Sequence, residues 1–321
     1  MIVLLSAYMP TFWELVKRLE ALQAQGLWPE MLLEISNVVI AMLQDPRAKG
    51  LVYGSAELDQ FCLNAGAMSS AQLGLAAPAQ YQGDVAVHLA TELYHGQGGH
   101  SLALKDVIRA RPDLKHLVLV TNLHERQLPL QAFAQDLPAS VQVVLAPSVA
   151  LPDKLRWLQL QLSAIKPGLL TLFNHHYDVV SVAAAQAGAA REVAYYHHAD
   201  HDMALGVFLP HALHVDCTNV SFHKCQNYLG VHNAVYWPLV APDLGVRPQH
   251  VFMAHGALTT CSHGSPNKFL SPGRYAYFDV MLRRLTEVNG VHVHIGSLPE
   301  DVVAAFRARL AEAGVDPARF V

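Results

Sequence analysis

From Asp84 onward, short apolar runs alternate with runs of helical period, and few architectures accept that alternation. Val85–Ala90 (VAVHLA), His116–Thr121 (HLVLVT), Val141–Ala146 (VQVVLA), Leu169–Phe173 (LLTLF) and Glu192–Tyr196 (EVAYY) read as strands, with Leu213–Asp216 as a sixth. Helical runs fall between most of them, as at Ser101–Arg111, Pro152–Ile165 and Asp178–Ala189. Strands separated by helices imply a parallel sheet covered on both faces. Residues 84–245 are therefore expected to form a doubly wound, Rossmann-like domain.

Residues 1–78 read differently. Phe12, Leu15, Val16, Leu19 and Leu22 follow the helical period, and Gly26 is a stop. A second run starts with Pro29 near its first turn and ends before Pro46, and a third follows Ser55. Ser69–Gly83, rich in small and polar residues, reads as a linker. A second α/β unit is expected over 246–321. It comprises a strand at Val251–Ala254, a long loop, a helix at Tyr275–Val288, a strand at Val291–Ile295, a helix at Pro299–Ala313 and a strand beginning at Phe320. Two strand–helix units bury little by themselves, so this domain is partial.

Composition narrows the function classes. The 321 residues carry a net charge of −4 with no basic stripe, which argues against a nucleic-acid partner. Hydrophobic residues make up 52% and charged residues 15%, enough to exclude disorder as the general state. Mean hydropathy is +0.21, yet no run reaches the roughly 18 apolar residues a membrane span needs. The opening MIVLLSAYM lacks a basic flank, so a cytoplasmic location is expected. The four cysteines, Cys62, Cys217, Cys225 and Cys261, form no CxxC pair and are expected as reduced, buried thiols.

Three segments could carry chemistry. Thr91–His100 (TELYHGQGGH) follows the first Rossmann strand, where ligands of open α/β sheets bind. Gly96, Gly98 and Gly99 would let backbone approach a ligand, the next helix would offer free N–H groups, and His100 would act as a base or donor. The spacing is not GxGxxG, which speaks against a nicotinamide. Tyr195–Asp202 (YYHHADHD) holds His197, His198, His201, Asp200 and Asp202. It nearly matches the HxHxDH motif of metallo-β-lactamase-like hydrolases, but Tyr196 replaces the first His. A metal-dependent hydrolase is therefore an alternative, and a metal-free pocket for sugar hydroxyls or phosphate is another. Asn174–Asp178 (NHHYD) follows the preceding strand and should lie nearby. Gly256–Phe269 (GALTTCSHGSPNKF) reads as a loop able to nest an anion, with Ser265 in it and Lys268 as a cation.

Together these segments resemble GT-B glycosyltransferases, and among them the bacterial O-GlcNAc transferase-like and family-4-like enzymes. VAVHLATELYHGQGGHSLALKDVI is similar to their first strand and glycine-rich turn, YYHHADHDMALGV to a late segment of the same domain, and VFMAHGALTTCSHGSPNKF with VHVHIGSLP to the start of the nucleotide-binding domain. The resemblance covers about 84–321. It implies a GT-B-like fold and transfer of a sugar from a nucleotide-sugar donor to an acceptor hydroxyl, with no metal and no further cofactor. By resemblance Lys268 would meet the donor diphosphate, with Gly98, Gly99 and Ser265 on the donor's anionic groups. His100, His198 and Asp200 would line the reacting centre. The family's second domain runs on beyond the equivalent of Val321. The expectation is a truncated form, a form without catalysis or one completed by a partner, with a half-domain edge that invites self-association. A non-catalytic binding module, using residues 1–78 for contacts, is the remaining reading.

Overall fold

A computed structural model describes residues 9–45, 48, 50–95, 98–135, 137–238, 245, 258–264, 267–270 and 276–321. The chain divides into two compact units, Met1–Val240 and Ala241–Val321.

The first unit opens with three helices, α1 (Met9–Ala24), α2 (Trp28–Gln44) and α3 (Ala56–Gln72). Pro29 sits in the first turn of α2, where its missing N–H costs nothing. Ser55 caps α3 by accepting from Leu58 N at 3.2 Å. Then come β1 (Gln82–Ala90), α4 (Gly99–Ala110), β2 (Lys115–Val120), α5 (Leu130–Ala134), β3 (Gln142–Leu145), α6 (Leu151–Ile165), β4 (Pro167–Phe173), α7 (Val179–Ala184), β5 (Glu192–His197), β6 (Leu213–Asp216), α8 (Asn219–Lys224), a π-turn at Cys225–Leu229 and β7 (Ala234–Tyr236). The seven strands are all parallel, in the order β3-β2-β1-β4-β5-β6-β7. This is the expected doubly wound, Rossmann-like α/β sheet. Its order reverses between β1 and β4, and the crevice outside that point is where such sheets bind ligands.

Alternation along the strands feeds two cores. Val85, Val87, Leu89, Leu170, Leu172, Val193 and Tyr195 join one cluster with side chains of α1, α2, α3, α6 and α7. Ala90, Val118, Val120, Phe173, Tyr196 and Val215 join the other with α4 and Phe133 of α5. The helices of residues 1–78 are thus packed into the sheet's own core. Gly66 explains how α3 gets so close to α7, because a β-carbon there would collide with Ala183 O. The α4 side also buries a polar relay. A carbonyl can only accept, so His116 Nε2–H donates to Arg111 O (2.8 Å). His116 Nδ1 then accepts from His88 Nε2–H (2.9 Å), and His88 Nδ1 from Thr171 Oγ1 (2.5 Å). Burial pushes the His88 ring down to about 3, so it stays neutral here.

The second unit pairs β8 (Leu258–His263) with β9 (Gly290–Ile295) in parallel and adds α9 (Asn267–Leu270), α10 (Tyr277–Glu287) and α11 (Glu300–Glu312). Phe320 bridges to His292, so a third extended segment does begin there. Leu258–His263 corrects the reading of this stretch as loop. Its inward positions, Leu258, Thr260 and Ser262, are mostly hydroxylic, and they bond His292 (2.8 Å from Thr260, 3.0 Å from Ser262) rather than forming an apolar stripe. Expected strand Val251–Ala254 lies outside the described residues. Cys62, Cys217 and Cys225 are buried free thiols as expected, whereas Cys261, on an outward position of β8, is exposed.

Candidate functional site

The carboxyl ends of β1, β2 and β4 are tied by one carboxylate. Thr91 and Thr121 donate their hydroxyls to Asp178 Oδ2 at 2.6 and 2.7 Å. Ser181 donates to the same oxygen from Oγ (2.9 Å) and to Oδ1 from its backbone N–H (2.9 Å), which caps α7. Thr91 Oγ1 in turn accepts from His175 N at 2.7 Å. Asp178 is fully buried. It fixes the backbone from which the next group projects.

That group is three imidazoles. His100 stands in the first turn of α4, His175 follows β4 and His198 follows β5. One ring nitrogen of each lies within 4.8 Å of the other two. The ring centres of His100 are 4.9 Å from both His175 and His198. His100 is buried, and the other two are partly exposed. His100 Nε2 lies 3.0 Å from Glu92 O, so this nitrogen carries the hydrogen and Nδ1 keeps the lone pair. Burial, reinforced by His175, pushes the His100 ring down to about 4. Burial lowers His175 as well, and burial beside the other rings lowers His198 far below the usual histidine range. All three are neutral bases near pH 7.

An acid–tyrosine–arginine edge flanks the imidazoles. Glu92 is fully buried, pairs with Arg126 Nη1 at 3.3 Å and accepts from the Tyr94 hydroxyl. Its Oε1 has no hydrogen-bond partner among the described residues. Burial, with Glu92 alongside, raises the Tyr94 hydroxyl to about 12. Tyr94 lies parallel to His175 at 6.5 Å. A buried carboxylate oxygen without a donor, beside rings that can donate or accept, suits a hydroxyl-bearing ligand.

The residues singled out in the sequence divide. His100 and His198 meet, and His175 of the NHHYD segment joins them. Asp200 does not. It accepts from Thr218 Oγ1 (2.9 Å) and from Ser221 Oγ at the start of α8. Burial acts to raise this carboxyl, but hydrogen bonds from His201, Ser221 and Thr218 together hold it below its ordinary range. The hydrolase set of His198, Asp200 and His201 also separates. His201 faces Asp200 and Asp202 at 3.6 and 3.7 Å and groups with His176, away from the His198 trio. Gly98 has φ 84°, and a β-carbon there would press on the Tyr94 ring at 2.9 Å, so its glycine serves the turn. Gly99 faces open space. Gly96, Ser265 and the side chain of Lys268 lie outside the described residues; Lys268 itself stands on α9. Sequence reasoning missed Glu92, Tyr94, Arg126 and the tying role of Asp178. The one available signal was the hydroxyl following each strand end, at Thr91 and Thr121.

No described helix is long and apolar enough to cross a membrane. No family model matches the chain, and no curated protein matches it. Among solved structures, a mutant O-GlcNAc transferase of Thermobaculum terrenum is similar over 95% of this chain, with a TM-score of 0.43 and 12% identity. This chain covers 59% of that protein's length, and a likeness of that size assigns no residue a role.

Proposed function

We propose that the chain is a glycosyltransferase, moving a sugar from a nucleotide-sugar donor to an acceptor hydroxyl, and that the His100–His175–His198 cluster receives the acceptor. The observation that carries this reading is the convergence of three neutral imidazoles and the unpartnered Glu92 oxygen outside the reversal between β1 and β4. In the proposed step His100 Nδ1 accepts the acceptor's hydroxyl proton. The acceptor oxygen bonds to the sugar's anomeric carbon, and the bond from that carbon to the diphosphate oxygen breaks. The diphosphate leaves with the electron pair. A base held at about 4 is weak in the empty site, and an arriving diphosphate raises it by favouring the imidazolium. Glu92 and His175 would orient the acceptor. The resemblance alone assigns Lys268 to the diphosphate, where a cation stabilises the departing charge.

The test is a thermal-shift and calorimetric panel of nucleoside diphosphates on the full chain, followed by product assays with the nucleotide-sugar that binds. Binding that Lys268→Ala abolishes, with turnover that His100→Ala lowers by about 10²-fold or more, supports the reading. If no nucleoside diphosphate or nucleotide-sugar binds at millimolar concentration, the reading fails.

A further inference from the structure

His197 and His198 are adjacent in sequence but serve different groups. Parallel pairing sets Tyr195 beside His214 and His197 beside Asp216. Alternation turns these four side chains to the face that carries α1, α2, α3, α6 and α7. The chain then runs through α8 into the π-turn, and Cys225, its first residue, returns to the same place. Such turns are rare in helices and often sit at functional sites. Cys225 Sγ lies 3.5 Å from both His197 Nδ1 and Asp216 Oδ1. Asp216 Oδ1 lies 3.0 Å from His197 Nδ1 and 3.3 Å from His214 Nε2. The side chains of His197, His214 and Asp216 are 2%, 3% and 0% exposed, and Cys225 is 0% exposed. We infer that His197, His214, Asp216 and Cys225 form a closed, four-ligand site for a divalent metal ion of the zinc class.

Three observations carry this, none of them used by the proposed transfer. The first is the spacing. A tetrahedral zinc with bonds of about 2.0–2.1 Å to nitrogen or oxygen and about 2.3 Å to sulfur sets its donors about 3.3 Å apart, and about 3.6 Å where one is sulfur. The observed separations follow that division, 3.0 and 3.3 Å among nitrogen and oxygen and 3.5 Å to sulfur. The second is unmet bonding. His214 Nε2 and Asp216 Oδ2 are buried with no hydrogen-bond partner, and so are the outward nitrogens His197 Nε2 and His214 Nδ1. Buried polar atoms are normally satisfied, and of these four His214 Nε2 is the one that faces the other ligand atoms, 3.3 Å from Asp216 Oδ1, where a cation would take up its lone pair. The third is charge. One carboxylate, one thiolate and two neutral imidazoles around a doubly charged cation sum to zero, so the assembly can be buried without a net charge.

The donor set selects the ion. Imidazole, carboxylate and thiolate together suit zinc, with cobalt as its spectroscopic substitute, whereas magnesium and calcium require oxygen. Four buried protein ligands describe a structural centre rather than a catalytic one. It would lock the ends of β5 and β6 to the π-turn, one peptide bond from His198.

The test uses the full chain purified from zinc-supplemented cells. Metal analysis should give one zinc per chain. Stripping with a chelator should lower the melting temperature, and zinc should restore it. Cobalt added to the stripped chain should show the visible bands of tetrahedral coordination and a thiolate-to-cobalt band in the near ultraviolet. Cys225→Ser should remove the thiolate band, and His214→Ala should weaken the metal by about tenfold or more. His175→Ala should keep the ion, which separates this site from the imidazole trio. If the variants fail to fold, the cobalt spectrum of the unaltered chain decides. A chain that neither carries nor takes up zinc or cobalt stoichiometrically overturns the inference, and so does cobalt uptake with no thiolate band. Either result leaves a hydrogen-bonded pair of the His197 ring and the Asp216 carboxylate. The nucleotide panel is a separate measurement, so either proposal can fail alone.

Discussion

Two histidine groups at the carboxyl ends of this sheet share a residue type and differ in everything around it. The His100–His175–His198 trio has two partly exposed members and no carboxylate among its three rings. The His197–His214 pair is fully buried and shares a carboxylate and a thiol. Imidazoles alone can stay neutral and exchange protons with a ligand. Imidazoles locked with two potential anions can hold a cation and little else. The neighbouring chemistry, rather than the histidines, separates proton transfer from metal binding.

The largest expected effect isolates one group from the other. Asp178→Ala removes the acceptor shared by Thr91, Thr121 and Ser181 and should cost about 4 kcal/mol, read in urea melts. It should disorder the trio and leave zinc content unchanged; loss of the metal would mean the two groups are one unit. His100→Ala comes next. Turnover should fall by about 10²-fold or more, with little change in zinc content. A variant with full turnover would move the proton acceptor to another ring.

Acid titration gives a smaller effect. His100 is held at about 4 and His88 at about 3, against about 6.5 for an unfolded histidine. Burial is the main cause for both. The unfolded chain therefore takes up protons first as pH falls. The stability these rings contribute is complete above pH 6.5 and drains away as pH drops through 6.5 toward 4 for His100 and toward 3 for His88. His100→Gln should flatten that window by roughly 3 kcal/mol. An unchanged slope would mean the trio is open to water. The smallest effect is at the rim. Arg126→Ala leaves Glu92 with Tyr94 alone and should cost about 1 kcal/mol, because the guanidinium is half exposed and weakly coupled. A larger loss would put this rim pair inside the trio's structural unit.

Much of the first unit was legible because its signals are local. Strand alternation and helical period reside within each segment, so β1 to β6 and the three leading helices could be read directly. β7 escaped because three residues make no pattern. β8 escaped because its inward side chains are hydroxyls bonded to β9 histidines. At the site, His100 and His198 were readable because each follows a strand end. Asp200 looked equivalent but accepts from the hydroxyls of Thr218 and Ser221, which lie far along the chain at the start of α8. The Cys225 grouping was the least legible. His214 and Asp216 are two apart on one strand, yet only the register of β5 against β6 and the return of the π-turn bring them to His197.

The glycine contact between α3 and α7 has a practical consequence for anyone dissecting this molecule. A fragment starting at Asp84 would keep every strand of the large sheet but expose the Val87, Leu89, Leu170 and Leu172 face that the leading helices help to cover. Such a fragment should precipitate or recruit chaperones. Attempts to assay the sheet alone should therefore begin no later than α1.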